Sequence, residues 1–107
     1  MSLDITLIKT QPCAIYEDNI THNLNEMAEA AGLYEALWYP EKIDAKDARD
    51  IIPVLRAGLA KLRAQPDHFR QYNPSNGWGS YEGLVEFVKN YLAACEEYPD
   101  AKIEVSR

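Results

Sequence analysis

The sequence predicts an α+β domain: three main helices packed on a small two- or three-stranded sheet formed by the N- and C-terminal segments. Three observations carry this. Leu3-Asp4-Ile5-Thr6-Leu7-Ile8 alternates apolar and polar residues, the period of a half-buried strand. Ala101-Lys102-Ile103-Glu104-Val105-Ser106-Arg107 alternates again at the other end. Between them, apolar residues recur at helical spacing in three separate stretches. At 107 residues the chain is expected to be one domain, 1-107. A two-stranded sheet alone is marginal in water, so the helices must cover it. They are expected to bury Ile5, Leu7, Ile103 and Val105.

Taken in order, the first strand is followed by a turn at Lys9-Thr10-Gln11-Pro12. Cys13-Ala14-Ile15-Tyr16 is short enough to be a second strand, closing a hairpin. Asp18, Asn19 and Thr21 are N-cap residue types and precede a periodic run, which predicts a helix from about Ile20 to Ala31. Its stripe is Ile20, Leu24, Met27, Ala28 and Ala31, with Gly32 as the left-handed C-terminal stop. His22 falls opposite that stripe, so it belongs at the surface or under another segment. The aromatic run Leu33 to Tyr39 is a turn or short helix stopped by Pro40.

Asp44 is the expected N-cap of the second long helix, with Asp47 as its capping-box partner. Ala48, Ile51, Ile52, Leu55, Leu59 and Leu62 form its stripe. Pro53 removes a backbone donor inside that stripe and predicts a kink or a break near Ile52. Gly58 weakens the helix further. Pro66 opens a short turn, and Ser80 is the N-cap expected for the last helix. That helix carries Tyr81, Leu84, Val85, Val88, Tyr91, Leu92 and Cys95 on one stripe, with Phe87 off it.

Composition narrows the function classes without choosing one. The net charge of −6 argues against sequence-independent nucleic-acid binding, which needs basic groups to displace counterions. It leaves a basic protein partner open. The longest apolar runs are a few residues, too short to span a membrane. The start Met1-Ser2-Leu3-Asp4 has an acid where a signal peptide carries positive charge, so the expected location is cytoplasmic. Cys13 and Cys95 fit no metal or redox spacing and are expected to be buried reduced thiols. No metal is expected, no cofactor motif is present, and nothing bears on oligomeric state.

Two polar clusters are the candidate sites. The first is Asn19, Thr21, His22 and Asn23, at a helix N-terminus where backbone N–H groups favour an anion or carboxylate. Ordinary capping accounts for Asn19 and Thr21 equally well. The second is Asn73, Asn76, Trp78 and Tyr81. Asn76-Gly77 is a strong turn dipeptide, and Trp78 between two glycines is expected to plug the core. If exposed instead, an indole flanked by amides suits sugar, base or peptide recognition. Should the two clusters converge, His22 is the one candidate general base. No nucleophile motif or phosphate loop accompanies it. Tyr34, Trp38 and Tyr39 are expected to be core and rim packing.

The strings Asn19-Ile20-Thr21-His22-Asn23-Leu24, Asn76-Gly77-Trp78-Gly79-Ser80-Tyr81, Tyr91-Leu92-Ala93-Ala94-Cys95 and Pro99 to Arg107 form a set over nearly the whole chain. In that set the chain resembles a family of small uncharacterised proteins of bacteriophages, prophages and bacterial genomes. The resemblance transfers no activity and no site residue. What it implies is a cytosolic protein of bacterial or phage origin. The leading expectation is a non-enzymatic binding or adaptor protein acting on a host or phage protein. The rival is a small enzyme or ligand binder using His22 and the Asn76–Trp78 loop.

Overall fold

The computed structural model describes residues 2–10 and 13–107. Strands β1 (Ser2–Thr10), β2 (Cys13–Thr21) and β3 (Lys102–Ser106) form one antiparallel sheet in the order β2-β1-β3. Both ends of the chain therefore share the sheet, with β1 at its centre. Ile5 pairs with Asp18 on one side and Val105 on the other; Leu7 pairs with Tyr16 and Ile103. Leu3, Ile5 and Leu7 are fully buried on the helix side. A register shift between Leu7 and Ile8 turns Ile8 inward as well. Ile103 and Val105 face the same way but stay half-buried, because β3 is an edge strand. The expected turn at Gln11-Pro12 lies outside the described residues, as does the side chain of Cys13. Cys95 is a free, buried thiol.

The first helix starts later than its capping residues predict. Asp18, Asn19 and Ile20 continue β2 up to Thr21. Each pairs with a residue of Leu3 to Ile5, and that ladder outweighs the local preference of Asp and Asn for caps. Ile20 is buried as expected, but as the strand partner of Leu3. Thr21 is the cap in fact. Its hydroxyl accepts from the Asn23 N–H at 3.3 Å and starts a 3-10 turn, His22–Leu24. Helix α1 (Asn25–Ala30) follows. Gly32, at φ +77°, ends it in a Schellman arrangement, with Gly32 N–H on Glu29 O and Leu33 N–H on Ala28 O.

Helix α2 (Tyr34–Trp38) buries Trp38, with Tyr34 stacked on its ring at 5.5 Å. Asp44 does not cap the next helix. It sits at φ +58° and closes the 3-10 turn Pro40–Ile43. Asp47 is the N-cap of α3 (Ala48–Ala64), and Asp50 is the reciprocal member of the capping box. The Asp50 carboxylate accepts from the Lys46 and Asp47 N–H groups at 3.0 Å each.

Pro53 does not break α3, which runs unbroken past it. Proline forfeits one bond to a carbonyl in the first turn, while Ile51, Leu55, Leu59 and Leu62 hold the helix in the core against α5 (Tyr81–Glu97). Gly58 has a packing reason. A Cβ there falls 2.3 Å from Leu33 Cδ2, so the missing side chain admits Leu33. Short helix α4 (Pro66–Arg70) leads into the loop before α5. Ser80 Oγ caps α5 by accepting from Gly83 N–H at 3.0 Å. The α5 stripe is buried except for half-buried Val85, and so is Phe87, edge-on to Tyr91 at 6.0 Å.

Candidate functional site

The loop Gln71–Ser80 is built from its own amides. Asn76 Oδ1 accepts from Trp78 N–H at 2.9 Å, and Asn73 Oδ1 accepts from Tyr81 N–H at 2.8 Å. Gly77 and Gly79 both take positive φ, +77° and +107°. At Gly79 the backbone itself packs on the core: a Cβ there sits 2.8 Å from Thr21 Cγ2 and 3.0 Å from Leu24 Cγ. With glycine backbone in that position, the neighbouring Trp78 ring is turned outward. Trp78 is 70% exposed. The expectation that it plugs the core is overturned for this reason.

Tyr81 also departs from its expected role. It is buried, and its hydroxyl donates to Leu62 O at 2.6 Å. In an unbroken helix that carbonyl takes the N–H four residues on, which here is Pro66 and has none. Tyr81 supplies the missing donor. Its hydroxyl proton is committed to the helix end.

The other candidates converge. Asn19, Thr21, Asn23 and Trp78 line one shallow depression of about 480 Å³. His22, Asn23, Asn73 and Asn76 line the next, of about 670 Å³, with Glu26 and Tyr72 at its border. Asn23 belongs to both. The convergence depends on β2 reaching Thr21, which sets the end of the strand against Gly79. Asn19 contributes from the strand, and the helix-terminus anion site expected around it does not exist in that form. Thr21 Oγ1 also accepts from Asn23 Nδ2 at 3.1 Å, so these two side chains hold each other.

His22 sits edge-on to buried Trp38 at 6.0 Å. Its Nε2 is enclosed and has no hydrogen-bond partner among the described residues. A general base needs its proton-accepting nitrogen within reach of the reacting group. Here the Nε2 atom is enclosed by protein, so that role would fall to Nδ1. The cleft also carries amides: Asn73 and Asn76 line it and use Oδ1 within the loop.

A third depression adjoins these on the outer side of β2, with a volume of about 440 Å³. One bank is Asp18 to Thr21. The other is Gly83, Glu86 and Asn90 of α5, which share one helix face. Sequence reasoning missed it, because it needs β2 to run on from Tyr16 to Thr21. Elsewhere, burial pushes the Cys95 thiol up to about 12, aided by the neighbouring Glu96 carboxylate. Such a thiol is not a nucleophile at neutral pH.

No helix among the described residues is long and apolar enough to cross a membrane. Comparison with protein-family models, curated proteins and solved structures gives no match.

Proposed function

We propose that the protein is a non-enzymatic, cytoplasmic protein-binding module whose recognition surface is centred on Trp78. The observation that carries this reading is the 70% exposure of that indole. Tryptophan is among the residues that dominate binding energy at interfaces, and a free monomer rarely leaves one this open. The loop geometry supports the reading. Asn76 and the two positive-φ glycines define the backbone around the ring, so little ordering is lost on binding. Polar side chains of Asn19, Thr21 and Asn23 surround it, the rim chemistry of a reversible interface.

The partner's charge follows from the sheet. Asp4 and Thr6 point away from the helices, and their cross-strand neighbours include Glu17 and Glu104. That outer face carries Asp4, Glu17 and Glu104 against Lys102, a net acidic surface that matches a basic partner, with complex formation weakening as salt is raised. The resemblance to phage and prophage proteins makes the partner a host or phage protein.

The test is comparative capture from a bacterial lysate at low and high salt. Bait proteins are wild type, Trp78→Ala and Ile43→Ala, the last altering the other exposed large hydrophobic among the described residues. Partners retained by wild type and Ile43→Ala but lost by Trp78→Ala support the reading. Equal capture by all three refutes it.

The convergence of His22, Asn73 and Asn76 on one cleft favours a second reading, a small polar ligand held there. It predicts a ligand-induced rise in melting temperature that His22→Ala removes.

A further inference from the structure

We propose that the outer edge of β2 is a strand-addition site for an extended basic segment of the partner. This deepens the protein-binding reading above and rests on it. β2 is one of the two edge strands of the sheet, and no described backbone group pairs with its free side. In an antiparallel ladder, alternate residues turn both N–H and C=O away from the neighbour. The Asn19 N–H is one of these. It is taken by the adjacent Asp18 Oδ1 at 2.8 Å rather than by β1. Glu17, two residues before, is in phase with it; Thr21, two residues after, caps the 3-10 turn with its carbonyl, and the free edge ends there. The Asp18 carboxylate stands where the carbonyl of an incoming strand would bond, and its Oδ2 is held by the Tyr16 hydroxyl at 3.1 Å.

The edge is not flat against solvent. It borders the groove whose far bank is Gly83, Glu86 and Asn90 of α5, and whose lining includes buried Ile20, Leu24 and Phe87. A strand laid along β2 has two faces. Side chains on the Ile20 face enter the groove, which suits small apolar residues. Side chains on the Asn19 face lie beside Glu17, in line with Asp4 and Glu104 on the sheet's outer surface. The groove itself holds Asp18 and Glu86 and no Lys or Arg. Lys89, outside the lining, pairs with Glu86 at 3.5 Å. The matching occupant alternates Lys or Arg with aliphatic residues.

A second copy of this chain fits the edge poorly. Pairing β2 with itself sets the Glu17-Asp18 stretch of one copy against the carboxylates of the other, and like charges across a ladder are destabilising.

The experiment is an anisotropy titration with a fluorescein-labelled alternating lysine–valine peptide. Controls are its glutamate–valine counterpart and a version N-methylated along one edge, which keeps the side chains but cannot extend a ladder. The expected result is saturable binding of the lysine–valine peptide, weakened about tenfold or more by N-methylation and by the charge change. Asn19→Pro removes the outward N–H without touching the ladder to β1 and is expected to abolish binding. Glu86→Lys, at an exposed position, is expected to weaken it several-fold. Should Asn19→Pro fail to fold, the N-methylated peptide on wild type decides alone. The proposal is overturned by absence of binding, by equal binding of the methylated or acidic peptide, or by a sedimenting dimer that Asn19→Pro dissolves. If the peptide fails while Trp78-dependent capture persists, strand addition falls and the binding module stands. If that capture also fails, both fall.

Discussion

Replacing Gly58 by alanine sets two effects of opposite sign against each other. In a helix interior, alanine is favoured over glycine by about 1 kcal/mol. Against that, the new Cβ lies 2.3, 2.4 and 2.9 Å from Leu33 Cδ2, Cγ and Cδ1. Leu33 is fully buried, so its side chain cannot swing into solvent. Overpacking of this kind costs about 1–3 kcal/mol. With three atoms of one side chain in conflict, the upper half of that range applies. The net expectation is a loss of about 1–2 kcal/mol, propensity included. The same substitution in a Leu33→Ala background meets no δ-carbons. There the propensity gain is all that remains, and Gly58→Ala stabilises by about 0.5–1 kcal/mol. Urea denaturation followed by far-UV circular dichroism on the four proteins of the cycle measures both signs. If Gly58→Ala stabilises the wild type, or destabilises both backgrounds equally, the close approach of Leu33 is not what the glycine is for.

Three further substitutions test the buried polar groups and the caps. Tyr81→Phe removes the donor that Leu62 O receives in place of Pro66 and is expected to cost about 1–3 kcal/mol in urea unfolding. Tyr91 is the opposite case. Its ring packs between Tyr16 and Phe87, its buried hydroxyl has no partner among the described residues, and burial pushes its pKa up, so Tyr91→Phe is expected to be neutral or stabilising by about 1 kcal/mol in the same assay. Asp50 is held below the usual carboxylate range by the N–H groups of Asp47 and Lys46. A folded-state pKa below the unfolded one gives stability that is full above the unfolded value and is lost as pH falls through the folded one. The urea midpoint of wild type should therefore drop through the acid range. Asp50→Asn should start lower at neutral pH and drop less, and parallel curves for the two proteins refute the capping role.

The sequence was most legible where burial is periodic. β1 and β3 show the two-residue alternation of a half-buried sheet, and α3 and α5 carry stripes that the core uses nearly intact. It was least legible where two local signals compete. Asp18, Asn19 and Thr21 all have cap chemistry, and nothing in their neighbourhood reveals that Ser2 to Ile5 will claim the first two for a ladder. Asp44 and Asp47 pose the same problem three residues apart. The choice between them is made at a distance, where Lys102 Nζ bonds Asp47 at 2.7 Å and Ala101 O accepts the Ala48 N–H. Trp78 failed for another reason. A compositional rule about tryptophan burial assumes that the side chain is what packs, whereas at this loop the backbone of Gly79 fills the space over Thr21 and Leu24. These misreadings have one origin in the site. Extending β2 to Thr21 creates the contact that turns Trp78 outward, gathers the amides of both clusters, and leaves a nine-residue strand with one side unpaired. A helix beginning at Asn19, as its capping residues alone favour, would have removed the edge, the groove and the exposed indole together. The recognition surface is therefore a product of the pairing between β1 and β2, and substitutions that shift that register should disable it without touching any residue that lines it.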